Sequence, residues 1–186
     1  FEFIDNDSLA RAAVEDGLLK VKDAGAAYRA LLVPNMKAVR VATIEKATAF
    51  AQAGGQVLCV GALPEASDRA GRDDPALAAL NARAFAADRR FASPDAAVEA
   101  LRGAFAQDVQ GVGQTVRALH RQAGPRDVYF VMDARPGQAV EFRAKGAAEL
   151  WDPWTGAVSS LRVTAETPAG TQVELPLEPY EANVVV

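Results

Sequence analysis

The residues of this sequence that could make or break bonds are few: one cysteine, one histidine and a scatter of acids. Cys59 lies between Leu58 and Val60, inside an apolar run. A nucleophilic cysteine on an α/β sheet needs a sharp turn after a strand, with small neighbours that tolerate strain. Cys59 comes before its run has ended, so the pattern predicts a buried core thiol. A single histidine, His120, cannot build a multi-histidine metal site, and a single cysteine excludes an internal disulfide or a cysteine-based zinc site. Neither a metal nor a cofactor is expected. His120-Arg121 closes a strand-like run, which gives His120 a surface or domain-contact role and makes it a candidate for substrate binding. Trp151 and Trp154 flank Asp152-Pro153. Aromatic faces bind sugar rings, so the pair is a candidate carbohydrate platform; core or interdomain packing is the plainer role beside a turn.

The acids form no catalytic pair that spacing demands. Glycoside hydrolysis needs two carboxyls facing each other across a cleft. Asp68, Asp73 and Asp74 cluster in one loop, where two of them suit helix caps, and Glu141 and Glu174 fall on the outward side of alternating runs. No catalytic residue is expected. Gly54-Gly55-Gln56 precedes a strand, whereas phosphate loops follow one and open a helix, so these glycines read as helix punctuation.

Two kinds of periodicity position these residues. From Tyr28 to Val33 and from Gln56 to Val60 the chain is nearly continuously apolar, as parallel strands buried on both faces are. Between them Val41, Ile44, Thr48 and Ala51 recur at helical spacing, and Gly54-Gly55 closes the helix. Strand, helix and strand within about thirty residues predict a βαβ crossover. Leu9–Val14 reads as a short helix stopped by Gly17, and Leu63–Arg72 as a loop. Asp73 or Asp74 caps a helix with Pro75 in its first turn, and Leu77, Leu80 and Phe85 face the sheet. Ser93-Pro94-Asp95 opens another helix, with Val98, Leu101 and Phe105 as its buried stripe.

After Gln107–Gln114, which is polar and holds two glycines, the period changes to two. Val128, Phe130 and Met132 oppose Tyr129 and Val131, and Val140 and Phe142 oppose Glu141 and Arg143. Leu150-Trp151 then leads into Asp152-Pro153-Trp154-Thr155-Gly156. The turn residues between these runs predict an antiparallel meander, and about six or seven short strands in all predict a small sandwich. The boundary is expected near Gly111–Gly113, with domains 1–110 and 115–186.

The chain has 186 residues, half of them apolar, 24% charged, with a net charge of −4. That profile is globular, and the negative balance argues against nucleic acid or an anionic membrane as partner. No run approaches the roughly 18 apolar residues of a membrane span. The opening Phe1-Glu2-Phe3-Ile4 shows no signal peptide and reads as a piece of something longer.

Several blocks together resemble a family. Tyr28–Asn35, Ala53-Gly54-Gly55-Gln56-Val57 and Val60-Gly61-Ala62-Leu63-Pro64 are similar to the region after the barrel in large bacterial glycoside hydrolases. His120-Arg121, Asp127–Val131, Glu149-Leu150-Trp151-Asp152-Pro153 and Thr155-Gly156 resemble the α-L-rhamnosidases of glycoside hydrolase family 106; Asp133 stands where that family commonly has asparagine. The resemblance implies an upstream catalytic barrel in the same chain, a flavodoxin-like (class I glutamine amidotransferase-like) α/β domain and then a β-sandwich. It places the catalytic carboxylates on the barrel, so no position here inherits a catalytic role. The amidotransferase-like nucleophile elbow is also lost, because Val57 stands where Gly-x-Cys-x-Gly needs glycine. The function so implied is the non-catalytic C-terminal portion of an α-L-rhamnosidase-like enzyme, meeting carbohydrate through the parent protein, periplasmic or secreted. The alternative is a stand-alone carbohydrate-binding module using Trp151 and Trp154.

Overall fold

The computed structural model describes residues 2–111, 116–176 and 181–186. Residues 112–115 of the polar segment and residues 177–180, where Glu178-Pro179 reads as a turn, lie outside the described residues. The chain divides into two compact units, Phe1–Gly103 and Ala104–Val186.

The first unit is a mixed α/β structure. Helix α1 (Asn6–Arg11) begins at Asp5, whose carboxylate accepts the backbone N–H groups of Asp7 and Ser8 at 2.8 and 2.9 Å. It ends earlier than the expected Leu9–Val14 helix, because Ala13 and Val14 belong to an antiparallel meander of β1 (Ala13–Glu15), β2 (Leu18–Val21) and β3 (Ala26–Tyr28). Asp16 and Gly17 form its first turn with φ of 55° and 71°. Two left-handed residues in succession make the two-residue hairpin turn whose twist matches its strands. Gly17 therefore turns a hairpin where the sequence suggested the end of a helix.

The sheet that organises this unit is parallel, in the order β4 (Ala30–Val33), β6 (Gln56–Val60), β9 (Arg90–Phe91). Helix α2 (Val41–Gln52) forms the crossover from β4 to β6. Strand β6 is covered on both faces: Val57 and Cys59 join a core with Ile44, Ala47 and Phe50 of α2, while Leu58 and Val60 pack with Ala97. The first N–H of α2, at Val41, is satisfied from a distance by Asp68 Oδ1 at 2.9 Å. Gly55 beyond the helix end is needed because a Cβ there would fall 2.1 Å from the Phe50 ring.

Three expectations are corrected here. The Tyr28–Val33 run is not one strand buried on both faces: it splits at Arg29, and Leu32 is 45% exposed. Between Leu63 and Arg72 the chain is not wholly loop, since β7 (Ala66–Ser67) pairs antiparallel with β8 (Gly71–Arg72) and parallel with β5 (Ala38–Val39). In helix α4 (Pro94–Ala104), Ala97 is the fully buried residue and Leu101 packs against the same cluster as expected, but Val98 is 44% exposed and Ala97 takes its place. Helix α3 (Pro75–Ala84) follows its pattern, with Asp74 accepting from the N–H groups of Ala76 and Leu77.

The second unit holds two antiparallel sheets around one core. The first runs β10 (Val109–Gly111), β13 (Gln138–Phe142), β17 (Thr171–Leu175), β16 (Val163–Glu166). The second runs β11 (Arg117–Ala123), β12 (Arg126–Met132), β18 (Ala182–Val185), β14 (Ala148–Trp151), β15 (Val158–Leu161). Val140, Phe142, Val173 and Leu175 of one sheet meet Tyr129, Val131 and Val185 of the other in a single buried cluster. The expected meander from β12 through β13 to β14 is not formed. β13 pairs with β10 and β17, and β18 lies between β12 and β14. Alternation of apolar residues fixes which face is buried but not which strand lies alongside, so consecutive runs are free to alternate between sheets.

Candidate functional site

At one end of the second unit the two sheets part around a cleft of about 280 Å³. Its lining mixes apolar and polar surface about equally. Tyr129 and Phe142 lie with ring centroids 4.8 Å apart and planes tilted by 53°. The Tyr129 hydroxyl accepts the Ala144 N–H at 3.3 Å, and burial pushes its phenol above the ordinary value. The rim carries Arg126, Asp127, Lys145 and Glu149, which come from the starts of β12 and β14 and from the turn between β13 and β14.

A polar network backs one side of the rim. His120 Nε2 lies 2.8 Å from Asp127 Oδ1, and His120 Nδ1 lies 3.6 Å from Asp108 Oδ2. Asp108 in turn accepts from Arg143 Nη2 at 2.7 Å. The His120 side chain is 16% exposed. Behind the other side, Trp151 Nε1 donates to Glu149 Oε2 at 2.9 Å, and the Arg126 guanidinium stands 5.7 Å from the Trp151 ring centre.

The three candidates from the sequence thus have three different settings. His120 is partly buried and hydrogen-bonded to Asp127 behind the cleft. Trp151 is partly buried and held by Glu149 and Arg126. Trp154 is 88% exposed at the tip of the β14–β15 hairpin. None of the three lines the cleft itself. Asp152 builds that hairpin tip: its carboxylate accepts from the N–H groups of Trp154 and Thr155 and from the Thr155 hydroxyl. These bonds, the hydroxyl foremost, hold the Asp152 carboxyl below the ordinary carboxylate value. The Trp-Asp-Pro-x-Thr-Gly block is thereby explained locally as a capped turn.

Sequence reasoning did not single out Asp127 or Glu149. Both follow turns, Gly124-Pro125 and Lys145-Gly146, but the pairing of Tyr129 and Leu150 with Val185 puts Asp127 on the inward face of the sheet and Glu149 on the outward one. Glu141 was expected to be solvated; it is half-buried and accepts a hydrogen bond from the Thr167 hydroxyl.

Cys59 is fully buried, and burial raises its thiol above the ordinary value. A nucleophile requires the opposite shift. Its Sγ donates to the Ala62 carbonyl at 3.7 Å. Two of the loop acids are structural: Asp68 and Asp74 cap α2 and α3, and Asp74 also accepts from the Ser67 hydroxyl. Among the described residues no cluster of three or more His, Cys, Asp or Glu could hold a metal ion.

The glycoside hydrolase family 106 α-L-rhamnosidases match residues 1–165, and this chain belongs to that family. Among solved structures it is similar to a rhamnosidase from Novosphingobium sp. PP1Y, with a TM-score of 0.74 and 24% identity over 98% of this chain. The chain spans 19% of the length of that rhamnosidase. It is also similar to Gan42B, a GH42 β-galactosidase from G. stearothermophilus, with a TM-score of 0.51 and 15% identity over 85% of this chain and 31% of the other. No curated protein matches it.

Proposed function

We propose that this chain is a non-catalytic portion of a multidomain α-L-rhamnosidase-like enzyme, supporting a catalytic barrel upstream in the same chain. The observation that carries this reading is the family match over residues 1–165 in a chain spanning 19% of the length of a related rhamnosidase. Its carbohydrate partner is met through the parent enzyme, and neither nucleic acid nor membrane is a partner. In this reading the domains are 1–110 and 115–186, the first flavodoxin-like and amidotransferase-like. The parallel strands β4, β6 and β9 with helices packed on both faces of β6 support that assignment. The site chemistry supports a non-catalytic role: Cys59 is buried with a raised thiol, and Asp68 and Asp74 are committed to helix N-termini.

The test is to incubate purified chain with aryl α-L-rhamnosides and other aryl glycosides, with circular dichroism to establish folding. A folded, silent chain is expected. Turnover abolished by changing one acid to its amide would overturn the reading, because the acid and base of hydrolysis would then lie within these residues.

A second reading, a stand-alone carbohydrate-binding module, is favoured by one observation: the indole of Trp154 is 88% exposed at a hairpin tip. Glycan-array binding lost in Trp154→Ala would support it.

A further inference from the structure

In the five-stranded sheet of the second unit, Tyr129 and Val185 lie opposite each other and both join the buried cluster. Successive residues of a strand point to opposite faces, so the positions beside them look away from that core. Those positions align. Leu119 lies opposite Phe130, Phe130 opposite Val184, Val184 opposite Trp151, and Trp151 opposite Val158. One apolar side chain from each of β11, β12, β18, β14 and β15 therefore forms a row across the outer face. Its two ends stand clear, Leu119 at 46% and Val158 at 56% exposure. An antiparallel sheet with one face in water ordinarily alternates apolar with polar residues, whereas strands covered on both faces are apolar throughout. From Val128 to Met132, β12 is of the second kind: Val128, Phe130 and Met132 look outward while Tyr129 and Val131 are buried.

We infer that this outer face is the docking surface for a part of the parent polypeptide outside residues 1–186, an apolar surface that brings a carboxylate to Arg126. Trp151 is held ready in the row, its indole N–H on Glu149 and the Arg126 guanidinium over its ring. Tryptophan and arginine in fixed positions are the residues that carry most of the energy of protein contacts. Arg126 makes no ion pair among the described residues, which leaves its N–H groups for an acid of the partner. Size decides between partners. With strands about 4.8 Å apart, the row spans about 19 Å. A strip of that length suits the contact between domains of one chain, about 600–1,500 Å², rather than the 2,000 Å² or more (roughly) of an obligate dimer. So small a contact is weak between separate molecules. Within one polypeptide it is held closed, because tethering supplies effective concentrations on the order of millimolar. This chain spans 19% of the length of the related rhamnosidase, so a parent of that build has the surface to supply the partner.

The inference rests on the reading of this chain as a portion of a larger enzyme, and docking is measured separately from turnover. Leu119→Cys and Val158→Cys place a thiol at each end of the row, in the parent enzyme and in this chain alone. Labelling with iodoacetamide is followed peptide by peptide by mass spectrometry, which sets the buried Cys59 apart. Both thiols should label freely in the chain alone. In the parent both should label at least about tenfold more slowly, the mark of a face docked about nine-tenths of the time. Arg126 is exposed, so Arg126→Glu should leave the chain folded by circular dichroism, yet it should return the parent thiols close to the free rate. Arg126→Lys, which keeps the charge, should hold more of the protection. Equal labelling in parent and chain would overturn the docking surface, as would protection indifferent to Arg126→Glu. Protection already present in the chain alone, rising with concentration alongside a dimer in sedimentation, would overturn the partner and give the face to a second copy. Rhamnoside hydrolysis is assayed on the same samples. An active parent with an open face, beside a silent chain, removes the docking surface and leaves the non-catalytic reading; turnover by the chain alone, with the face covered in the parent, does the reverse.

Discussion

The imidazole of His120 lies flat on the ring of Tyr129, with centroids 4.2 Å apart and planes at 12°. The contact joins neighbouring positions on β11 and β12, His120 directly opposite Tyr129 in the ladder. Because His120 also faces Asp108, next to β10 of the other sheet, its ring couples both sheets of the second unit. His120→Ala should destabilise that unit by about 1–3 kcal/mol, the scale of a lost aromatic contact plus a charged hydrogen bond. Urea denaturation followed by tyrosine near-ultraviolet dichroism measures it; an unchanged midpoint would show that the contact is incidental.

Cys59→Ser should fold, at a cost of about 1 kcal/mol for placing a hydroxyl in an apolar core. In the native chain the thiol should react with Ellman's reagent far more slowly than in urea, since it is fully buried and its ionisation is disfavoured. Fast native labelling would contradict both the burial and the inert role.

Two glycines should respond oppositely to alanine. A Cβ at Gly170 would lie 1.8 Å from the Phe142 carbonyl oxygen, which is backbone and cannot step aside. Gly170→Ala should cost about 3 kcal/mol, at the upper end for overpacking. Gly103 lies in α4 with nothing near its missing Cβ, so Gly103→Ala should stabilise by about 0.5–1 kcal/mol through helix propensity. Thermal melts of the two variants test the pair together.

Acid should weaken the first unit through its caps. Hydrogen bonds, the Ser8 hydroxyl foremost, lower Asp5 from 3.8 to about 2, and Asp74 is lowered too, chiefly by Ser67. A carboxyl lowered on folding contributes stability above its unfolded value and loses it as pH falls through the folded one. The Asp5 contribution is thus complete above about pH 4 and fades toward pH 2. Asp5→Asn, which still caps but cannot titrate, should show a shallower fall of melting temperature over that window; parallel curves would sink the assignment.

Much of the first unit could be read from residues in order. Gln56–Val60 is apolar at nearly every position because both faces of β6 are covered, and Asp74-Pro75 announces α3 by an acceptor and a fixed φ. Asp16-Gly17 was misread although it is a strong hairpin signal, since a glycine after an apolar stretch also ends helices. The strand order of the second unit was not legible. Period two states what is buried and is silent about the neighbour, which depends on contacts as distant as Phe130 with Val184. The site suffered likewise. Trp151 and His120 stand out as rare residue types, while Asp127 and Glu149, common acids at strand starts, come to border one cleft only once β18 has set β12 and β14 on its two sides.

That placement of β18 bears on how the protein is made. A ribosome releases the chain from its amino end, so β11–β12 and β14–β15 emerge first as separate hairpins. Each then presents an unpaired edge to the cell until Ala182–Val185 arrives to fill the gap between them. The sheet is completed only by a strand that follows both hairpins in the chain. Slowed translation in that interval leaves two sticky edges waiting for one strand, and the nascent second unit depends on chaperone cover until β18 is out.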